Sequence, residues 1–200
     1  MPYFEYGQKE IDYLKKKDKK LGAAIERIGF IEREIKPDVF LALVDSIISQ
    51  QISTKAADTV LERLCNLIGD ITPENIAVAE IEQIQQCGMT MKKAGYIKSF
   101  AETVSARTLN LEELRVLSDT EVIKKLVELD GVGVWTAEML LLFSLCRPDV
   151  VSYGDLAIRR GMMNLYGLKE LPKAKFERYK KRYSPYGSVA SLYLWNLAVL

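Results

Sequence analysis

The chain has 200 residues, of which 48% are hydrophobic and 28% are charged, and its formal net charge is +1. A chain of this length and composition buries roughly 70% of its unfolded surface, which excludes a disordered tail or a linker. No stretch approaches the ~20 apolar residues that a membrane span requires. The N-terminus is acidic and aromatic, unlike a secretory signal, so we expect a cytoplasmic protein without membrane contact.

Hydrophobic residues recur at α-helical spacing through nearly the whole chain. Residues 21–28 form the first clear repeat. Residues 40–48 form the next, after Pro37, a residue type that is favoured in the first turn of a helix. Thr72-Pro73-Glu74 is expected to begin another helix, and the capping box Ser118-Asp119-Thr120-Glu121 opens one more.

Few sequence signals interrupt the helical pattern or indicate β-strands. Gly88 is a stop signal for a helix, and strand patterns are confined to short pieces such as residues 150–153. We therefore predict an all-α protein of about nine or ten helices. The loops around residues 147–148 and 171–172 are short, which favours one compact unit over residues 1–200.

The absence of His restricts the chemistry, because it removes the commonest general base and metal ligand. A Ser-His-Asp triad, a zinc site with His ligands and a His-activated cysteine are excluded. The three cysteines, Cys65, Cys87 and Cys146, are too few for a Cys₄ zinc or iron–sulfur site, and we interpret them as buried thiols in a reducing compartment. Acid–base chemistry must come from carboxylates, Lys, Tyr or water, and no cofactor is required.

Charge is distributed unevenly along the chain. Residues 151–200 carry nine Lys or Arg against three Asp or Glu, a net +6, whereas residues 1–150 carry a net −5. The basic residues between 173 and 182 alternate with Phe176, Tyr179 and Tyr183. Such a run suits a phosphate backbone, although it is more often only a solvated helix face.

The segment Leu129-Asp130-Gly131-Val132-Gly133-Val134-Trp135-Thr136-Ala137 carries the clearest chemical signal. Two glycines at alternate positions after a capped helix predict a tight turn into a second helix that begins near Trp135. Amides in such a turn point outward at the positive end of the helix and can bind a phosphate. A lone Gly-x-Gly is more often a plain helix–helix turn, so the rest of the pattern must decide.

Together with Val151-Ser152-Tyr153-Gly154-Asp155-Leu156-Ala157-Ile158-Arg159-Arg160-Gly161, this segment resembles the helix-hairpin-helix DNA glycosylase superfamily, specifically the 3-methyladenine DNA glycosylase II family of alkylation repair. Three further stretches are similar to that family: Ile48-Ser49-Gln50-Gln51-Ile52-Ser53-Thr54-Lys55-Ala56-Ala57, Cys87-Gly88-Met89-Thr90-Met91-Lys92-Lys93-Ala94 and Tyr183-Ser184-Pro185-Tyr186-Gly187-Ser188-Val189-Ala190. The resemblance implies two helical subdomains that flank a DNA-binding cleft. Residues 36–148, with the hairpin, would form the central one, and residues 1–35 plus 149–200 the second.

The resemblance also implies the activity. A monofunctional glycosylase of this family flips an alkylated purine out of double-stranded DNA and hydrolyses its N-glycosidic bond in base excision repair. A cationic base such as 3-methyladenine leaves without a general acid, which agrees with a chain that lacks His. Asp155 is the implied catalytic residue, an ionised carboxylate that stabilises the oxocarbenium-like sugar and orients water. It would also cap a helix that begins at Leu156, and the two roles are compatible.

Two aromatic residues are the implied base pocket. Trp135 stands where bifunctional relatives have a lysine that forms a Schiff base, which an indole cannot do, so no lyase activity is expected. Trp135 would instead offer its π-face to the cationic base, with Tyr153 as a second partner. Trp195 and Tyr193 fit a packing role.

The family's DNA contacts map onto both motifs. Gly131 and Gly133, with Thr136 beside them, would hold a phosphate 3′ of the lesion. In the family a Na⁺ or K⁺ on hairpin carbonyls, here those of Leu129 and Gly131, often assists, but no metal is required.

Met91 is the implied wedge that fills the gap left by the flipped nucleotide, with Met89 or Thr90 as alternatives. A Met here could equally fill a gap in the core. Gln50 and Gln51 would face the opposite strand, unless they are ordinary polar residues of a helix surface.

Two positions depart from the family pattern. Gly154 stands where many relatives have an acidic residue, and Gly187 stands where many have Arg, which leaves the preferred lesion open. A catalytically inactive helix-hairpin-helix DNA-binding module remains an alternative, as does a glycosylase for an oxidised or deaminated base. We expect a monomer that binds double-stranded DNA containing alkylated bases.

Overall fold

The computed structural model describes residues 2–199. Within that range regular structure is helical, and the one β feature is an isolated bridge between Tyr3 and Glu34, so the all-α prediction is confirmed. The α-helices, in chain order, are α1 (Gln8–Lys17), α2 (Lys19–Ile28), α3 (Val39–Ser49), α4 (Thr54–Ile68), α5 (Pro73–Val78), α6 (Ile81–Gln86), α7 (Met91–Ser105), α8 (Asp119–Leu126), α9 (Val134–Phe143), α10 (Leu156–Tyr166), α11 (Lys173–Tyr183) and α12 (Gly187–Leu197). A 3₁₀ helix, Glu112–Arg115, lies between α7 and α8. Among the described helices, none combines the length and the apolar content needed to cross a membrane.

The twelve α-helices in the described range exceed the nine or ten predicted. Short helices such as α6, with six residues, contain too little of a hydrophobic repeat to be counted from periodicity. Two predicted start signals are confirmed. The Ser118 side chain accepts a hydrogen bond from the amide of Glu121, whose carboxylate in turn accepts one from the Ser118 amide, and Thr72 caps α5 with Pro73 in its first turn.

Pro37 does not lie in the first turn of α3, where the sequence places it. It precedes Asp38, the N-cap residue, whose carboxylate accepts a hydrogen bond from the Leu41 amide at 2.9 Å. An Asp is a strong N-cap because its side-chain oxygen satisfies an amide that the helix leaves unpaired. The helix therefore starts one residue after the Asp rather than at the proline.

The chain is divided into two compact units. One runs from Lys36 to Leu140, and the other is formed by the residues up to Ile35 together with those from Leu141 onward. The sequence places this second boundary at residue 148, in the loop after α9, whereas the structure has it inside α9. A helix carries the chain across without a break, so no Gly or Pro signal marks the position.

Each unit has its own aromatic core. In the Lys36–Leu140 unit the rings of Phe40 and Phe100 stack with centroids 4.9 Å apart. In the other unit Tyr193 is fully buried and donates a hydrogen bond to the Gly29 carbonyl at 3.0 Å, and Trp195 stacks on Phe143. The packing roles predicted for Tyr193 and Trp195 are therefore confirmed.

Helices α10 and α12 are in close contact at Gly161. A Cβ added to Gly161 would overlap the backbone carbonyl of Leu194, which cannot move aside as a flexible side chain would. Backbone-to-backbone contact of this kind requires a residue without a side chain.

The cysteine prediction is wrong at two of its three positions. Cys87 is buried, but Cys65 and Cys146 are exposed. Cys65 lies off the buried stripe of α4, and Cys146 follows α9 in a loop with a left-handed φ of 52°. A cysteine is buried only where its helix face or loop packs against the protein. The spacing of the three cysteines along the chain does not show which of them meet that condition.

Candidate active site

The glycine-containing turn connects α8 to α9, as the motif predicts. It is closed by a backbone hydrogen bond from the Val132 amide to the Leu129 carbonyl at 3.2 Å. Gly131 has a φ of +79°, which other residues rarely adopt, and a Cβ there would overlap the Tyr96 ring. Gly133 is exposed and has open space where a Cβ would lie. The first glycine is needed for conformation and packing, and the second leaves the backbone open to a ligand.

The first turn of α9 presents a helix N-terminus beside these glycines. Its first backbone hydrogen bond runs from the Ala137 amide to the Gly133 carbonyl at 3.0 Å, so the preceding amides lie at the positive end of the helix. Thr136 is only 5% exposed, so a phosphate would meet its backbone rather than its hydroxyl. Trp135, in the same turn, is 45% exposed, as a residue that binds a base must be.

A hydrogen-bonded network supports the hairpin from the side. The Gln50 side-chain amide donates to the Gly131 carbonyl at 2.8 Å. The Lys93 ammonium group donates to the carbonyls of Ile48, at 2.7 Å, and Gln50. Desolvation lowers the pKa of Lys93, but the two carbonyls satisfy its charge through charge-assisted hydrogen bonds. The end of α3, the start of α7 and the hairpin are thereby tied together within one unit.

The two glutamines at the end of α3 have different surroundings. The sequence expects both to face the opposite DNA strand, but the Gln50 amide is directed at the hairpin. Gln51 is exposed and has a φ of +60°, a conformation that costs a residue with a side chain about 1 kcal/mol or more. Gln51 is therefore exposed and strained, and it lies next to Gln50, which braces the hairpin. Of the two glutamines, Gln51 stays the candidate for a DNA contact.

The carbonyls proposed for a monovalent cation already accept hydrogen bonds. The Gly131 oxygen accepts one from Gln50, and the Leu129 oxygen accepts one from Val132. A carbonyl oxygen has two lone pairs, so each retains one for a cation, and the Na⁺ or K⁺ site stays a prediction. Over residues 2–199, no cluster of three or more Cys, Asp or Glu side chains is arranged to hold a metal ion.

The three wedge candidates are distinguished by exposure. Met89 is 8% exposed and fills the core, while the Thr90 hydroxyl caps α7 by accepting from the Lys93 amide at 3.3 Å. Met91 is 48% exposed at the first position of α7. Of the three, Met91 alone is both apolar and available for insertion between bases.

Asp155 is the N-cap of α10, and its capping role is confirmed. Its Oδ1 accepts a hydrogen bond from the Ile158 amide at 2.8 Å, and the residue is 7% exposed. The carboxylate therefore lies at the positive end of an eleven-residue helix, where a negative charge is stabilised. Burial and capping fix the orientation of the group, which is what electrostatic catalysis requires.

The segment before Asp155 is anchored on the start of α12. The Val150 amide donates to Ser188 Oγ at 3.0 Å, and Ser191 Oγ donates to the Val150 carbonyl at 2.8 Å. The Gly187 amide donates to Asp149 Oδ1 at 3.0 Å, and a Cβ on Gly187 would lie 2.6 Å from that oxygen. In this arrangement Gly187 has no room for a Cβ beside the Asp149 carboxylate.

Tyr153 has partners that compete with the role predicted for it. Its ring packs edge-on against Phe176 at 5.2 Å, and the Arg159 guanidinium carbon lies 5.1 Å from its centroid. Lys173 Nζ lies 6.0 Å from the same centroid. A ring that already faces two side-chain cations attracts a third one less, so Tyr153 is a poor partner for a cationic base.

The aromatic residues of the basic segment pack inward. Phe176 and Tyr183 are fully buried, and Tyr179 stacks on Tyr166 with centroids 3.8 Å apart. These three rings therefore serve packing and cannot stack on nucleic-acid bases, so only the basic residues of α11 remain as possible partners of a phosphate backbone.

Three residues that support the site were not predicted from the sequence: Lys93, Tyr96 and Asp149. Lys93 lies inside the motif at residues 87–94, and Tyr96 lies two residues after it. The position of Lys93 on its helix could have indicated a buried role. Lys93 precedes the buried Ile97 and Phe100 by four and seven residues, so it falls on the apolar stripe of α7. A lysine on an apolar stripe needs acceptors, and here they are carbonyls at the end of α3.

We expect Gln50→Ala to lower the free energy of unfolding by about 1 kcal/mol, because it removes a hydrogen bond to a part-buried carbonyl. It should also weaken binding to abasic-site DNA, because the hairpin loses its brace. Gln51→Ala is the matched control: it should leave unfolding unchanged while weakening DNA binding. Chemical denaturation and fluorescence anisotropy measure the two quantities. Equal stability of Gln50→Ala and the wild-type protein would contradict the bracing role.

Comparison with known proteins places this geometry in a family. Residues 44–185 match the model described as "HhH-GPD superfamily base excision DNA repair protein". The chain is 34% identical over 170 residues to DNA-3-methyladenine glycosylase 1 of Schizosaccharomyces pombe, covering 82% of this chain and 75% of that protein.

Solved structures agree. A crystal structure of DNA-3-methyladenine glycosidase from Bacillus halodurans matches with a TM-score of 0.89 and 38% identity, covering 99% of this chain and 93% of that one. The S. pombe 3-methyladenine DNA glycosylase in complex with abasic DNA matches with a TM-score of 0.81 and 31% identity, covering 96% and 98%. The resemblance stated from the sequence motifs is confirmed.

Proposed function

Because the chain belongs to the HhH-GPD superfamily of base excision DNA repair proteins, we propose that it is a monofunctional DNA glycosylase that releases alkylated purines from double-stranded DNA. The observation that carries the proposal is Asp155, a buried carboxylate held by a helix N-terminus at the motif's position, in a chain without His. The relatives named 3-methyladenine glycosylases, one of them bound to abasic DNA, support both the substrate class and the partner.

The chemistry requires one negative charge and one water molecule. The bond between C1′ and the base nitrogen breaks, and its electron pair leaves with the cationic base, which becomes neutral. The Asp155 carboxylate stabilises the positive charge that develops on the sugar. A water molecule then adds to C1′ and releases a proton, with Asp155 orienting the water.

Residues of the Lys36–Leu140 unit would grip the DNA. Backbone amides around Gly131 and Gly133 bind a phosphate, and Gln50 and Lys93 keep that turn in place. Met91 fills the gap left by the everted nucleotide, which offsets part of the few kcal/mol that unstacking costs.

Trp135 accounts for both the substrate and the reaction type. Its exposed indole offers a π-face to a cationic purine, a contact that contributes roughly 0.5–2 kcal/mol. An indole has no amine that forms an imine with the sugar, so base release is expected to end at an abasic site.

A panel of duplexes, each with one lesion, tests the proposal. We expect the protein to generate abasic sites in 3-methyladenine or related alkylpurine duplexes, with strand breaks seen only after alkali. Strand cleavage before alkali, with a borohydride-trapped imine, would contradict the monofunctional mechanism. Release of only oxidised or deaminated bases would favour the alternative glycosylase. DNA binding without release of any base would favour the inactive module.

A further inference from the structure

A cationic site lies in the unit that contains the chain termini, and none of its lining residues has a role in the proposed glycosylase reaction. It is a concavity of about 350 Å³ between the α1–α2 junction and the helices α10 and α11. Four of its lining residues are basic: Lys17, Lys19, Lys20 and Arg182. Nothing in the proposed glycosylase function uses this site, which we call the Arg182 pocket.

The floor of the Arg182 pocket is a rigid polar network around Asp18. The Asp18 carboxylate is 3% exposed, and its Oδ1 accepts from the amides of Lys20 and Leu21. Its Oδ2 accepts from the Tyr166 hydroxyl at 2.6 Å and from the Arg182 guanidinium at 3.1 Å. Burial raises the pKa of Tyr166, so its hydroxyl remains a neutral donor. Both carboxylate oxygens are therefore occupied: Oδ1 fixes the carboxylate on the backbone of α2, and Oδ2 holds Arg182 in position.

The charge of the Arg182 pocket is strongly unbalanced. Four basic residues and a single carboxylate line it, the oxygens of that carboxylate already accept hydrogen bonds, and the Arg182 side chain is still 47% exposed. Guanidinium donors that are pre-positioned and solvent-accessible are the usual partners of phosphate oxygens. Lys20 Nζ, 3.4 Å from the Tyr166 carbonyl, adds a further donor at the rim.

The aromatic walls leave no face for a nucleobase. Tyr166 and Tyr179 stack on each other at 3.8 Å, the Arg182 guanidinium lies 4.9 Å from the Tyr179 centroid, and Lys20 Nζ lies 5.9 Å from that of Tyr166. A ligand that needed stacking would have to displace a ring or a cation. A compact oxyanion needs only the donors.

We propose that the Arg182 pocket binds phosphate groups. Its volume is that of a small-ligand site, and its donors suit an oxyanion rather than a base or a sugar. The phosphates could come from the backbone of a nucleic acid or from a free polyphosphate, and both sources present the same chemistry to Arg182 and the three lysines.

The test compares two triple variants of equal charge change, using inorganic pyrophosphate as the probe. One carries Lys17→Gln, Lys19→Gln and Lys20→Gln. The control carries Lys9→Gln, Lys16→Gln and Lys169→Gln, three exposed lysines of the same unit that do not line the pocket. Calorimetric titration is expected to show pyrophosphate binding at least tenfold weaker in the pocket variant, and within twofold of wild type in the control. Thermal unfolding and far-ultraviolet circular dichroism verify that both variants are folded.

A second arm identifies the source of the phosphate. Binding to a 30-base-pair abasic-site duplex is measured over a range of salt concentrations. A smaller salt dependence in the pocket variant alone assigns the site to the DNA backbone, since each lost phosphate contact removes about 0.9 from the slope. An unchanged slope with lost pyrophosphate binding assigns it to a free phosphate ligand.

Other results overturn the proposal. The pocket does not bind phosphate if the wild-type protein shows no pyrophosphate binding, or if the pocket variant binds as tightly as wild type. Equal weakening in both variants would mean that only the overall charge matters. Base release is measured separately, so failure of the glycosylase proposal would leave this test intact.

Discussion

Asp155→Asn is expected to slow base release from alkylated DNA by roughly a hundred- to a thousandfold, because the amide cannot stabilise a cationic sugar as a carboxylate does. Its helix cap should survive, since Asn and Asp cap helices equally well, and the Ile158 amide keeps its acceptor. Binding to abasic-site DNA and the free energy of unfolding should therefore stay close to wild type. Single-turnover base release, DNA binding and chemical denaturation measure the three quantities.

A matched control separates the loss of charge from the change of a cap. Asp38→Asn makes the same substitution at the N-cap of α3, where Oδ1 accepts from the Leu41 amide at 2.9 Å. Base release by Asp38→Asn should remain at the wild-type rate. Equal rates for Asp155→Asn and the wild-type protein would remove Asp155 from the mechanism.

Gly161→Ala is expected to destabilise the protein by about 1–3 kcal/mol or more, because the added Cβ meets the Leu194 carbonyl of α12. The sign of the effect is informative. In an uncrowded helix interior, alanine is about 1 kcal/mol more stable than glycine, so propensity alone predicts the opposite change. Differential scanning calorimetry should show the midpoint lowered by several degrees.

Gly95→Ala is the matched control for this crowding argument. Gly95 also lies inside a helix, α7, but its added Cβ would have its nearest contact at 3.8 Å, with the end of the Ile81 side chain. This variant should be as stable as the wild-type protein or slightly more stable. If Gly161→Ala were stabilised to the same extent, the close contact between α10 and α12 would be disproved.

The parts of the site that depend on local sequence were predictable. The turn at Gly131 and Gly133 and the cap at Asp155 are encoded within a few residues, because each involves one helix end and the backbone beside it. Met91 was identified through resemblance, and exposure then distinguished it from Met89 and Thr90. The helical class followed from periodicity over the whole chain.

The parts that depend on distant contacts were not predictable. Lys93 meets carbonyls more than forty residues away, and Gln50 reaches a hairpin eighty-one residues further along the chain. The contact at Gly161 involves a different helix. The spacing of residues in a sequence shows which side chains are neighbours on the same helix. The partners of Lys93, Gln50 and Gly161 lie on other segments, and the packing of those segments determines them.

The two exposed thiols provide a way to follow motion in the unmodified protein. Cys65 belongs to the Lys36–Leu140 unit and Cys146 to the other, while Cys87 is buried. Nitroxide spin labels would therefore react at one position in each unit without any engineered cysteine. Pulsed dipolar spectroscopy on the doubly labelled chain, with and without a duplex, would report directly whether the two units change their separation when DNA binds.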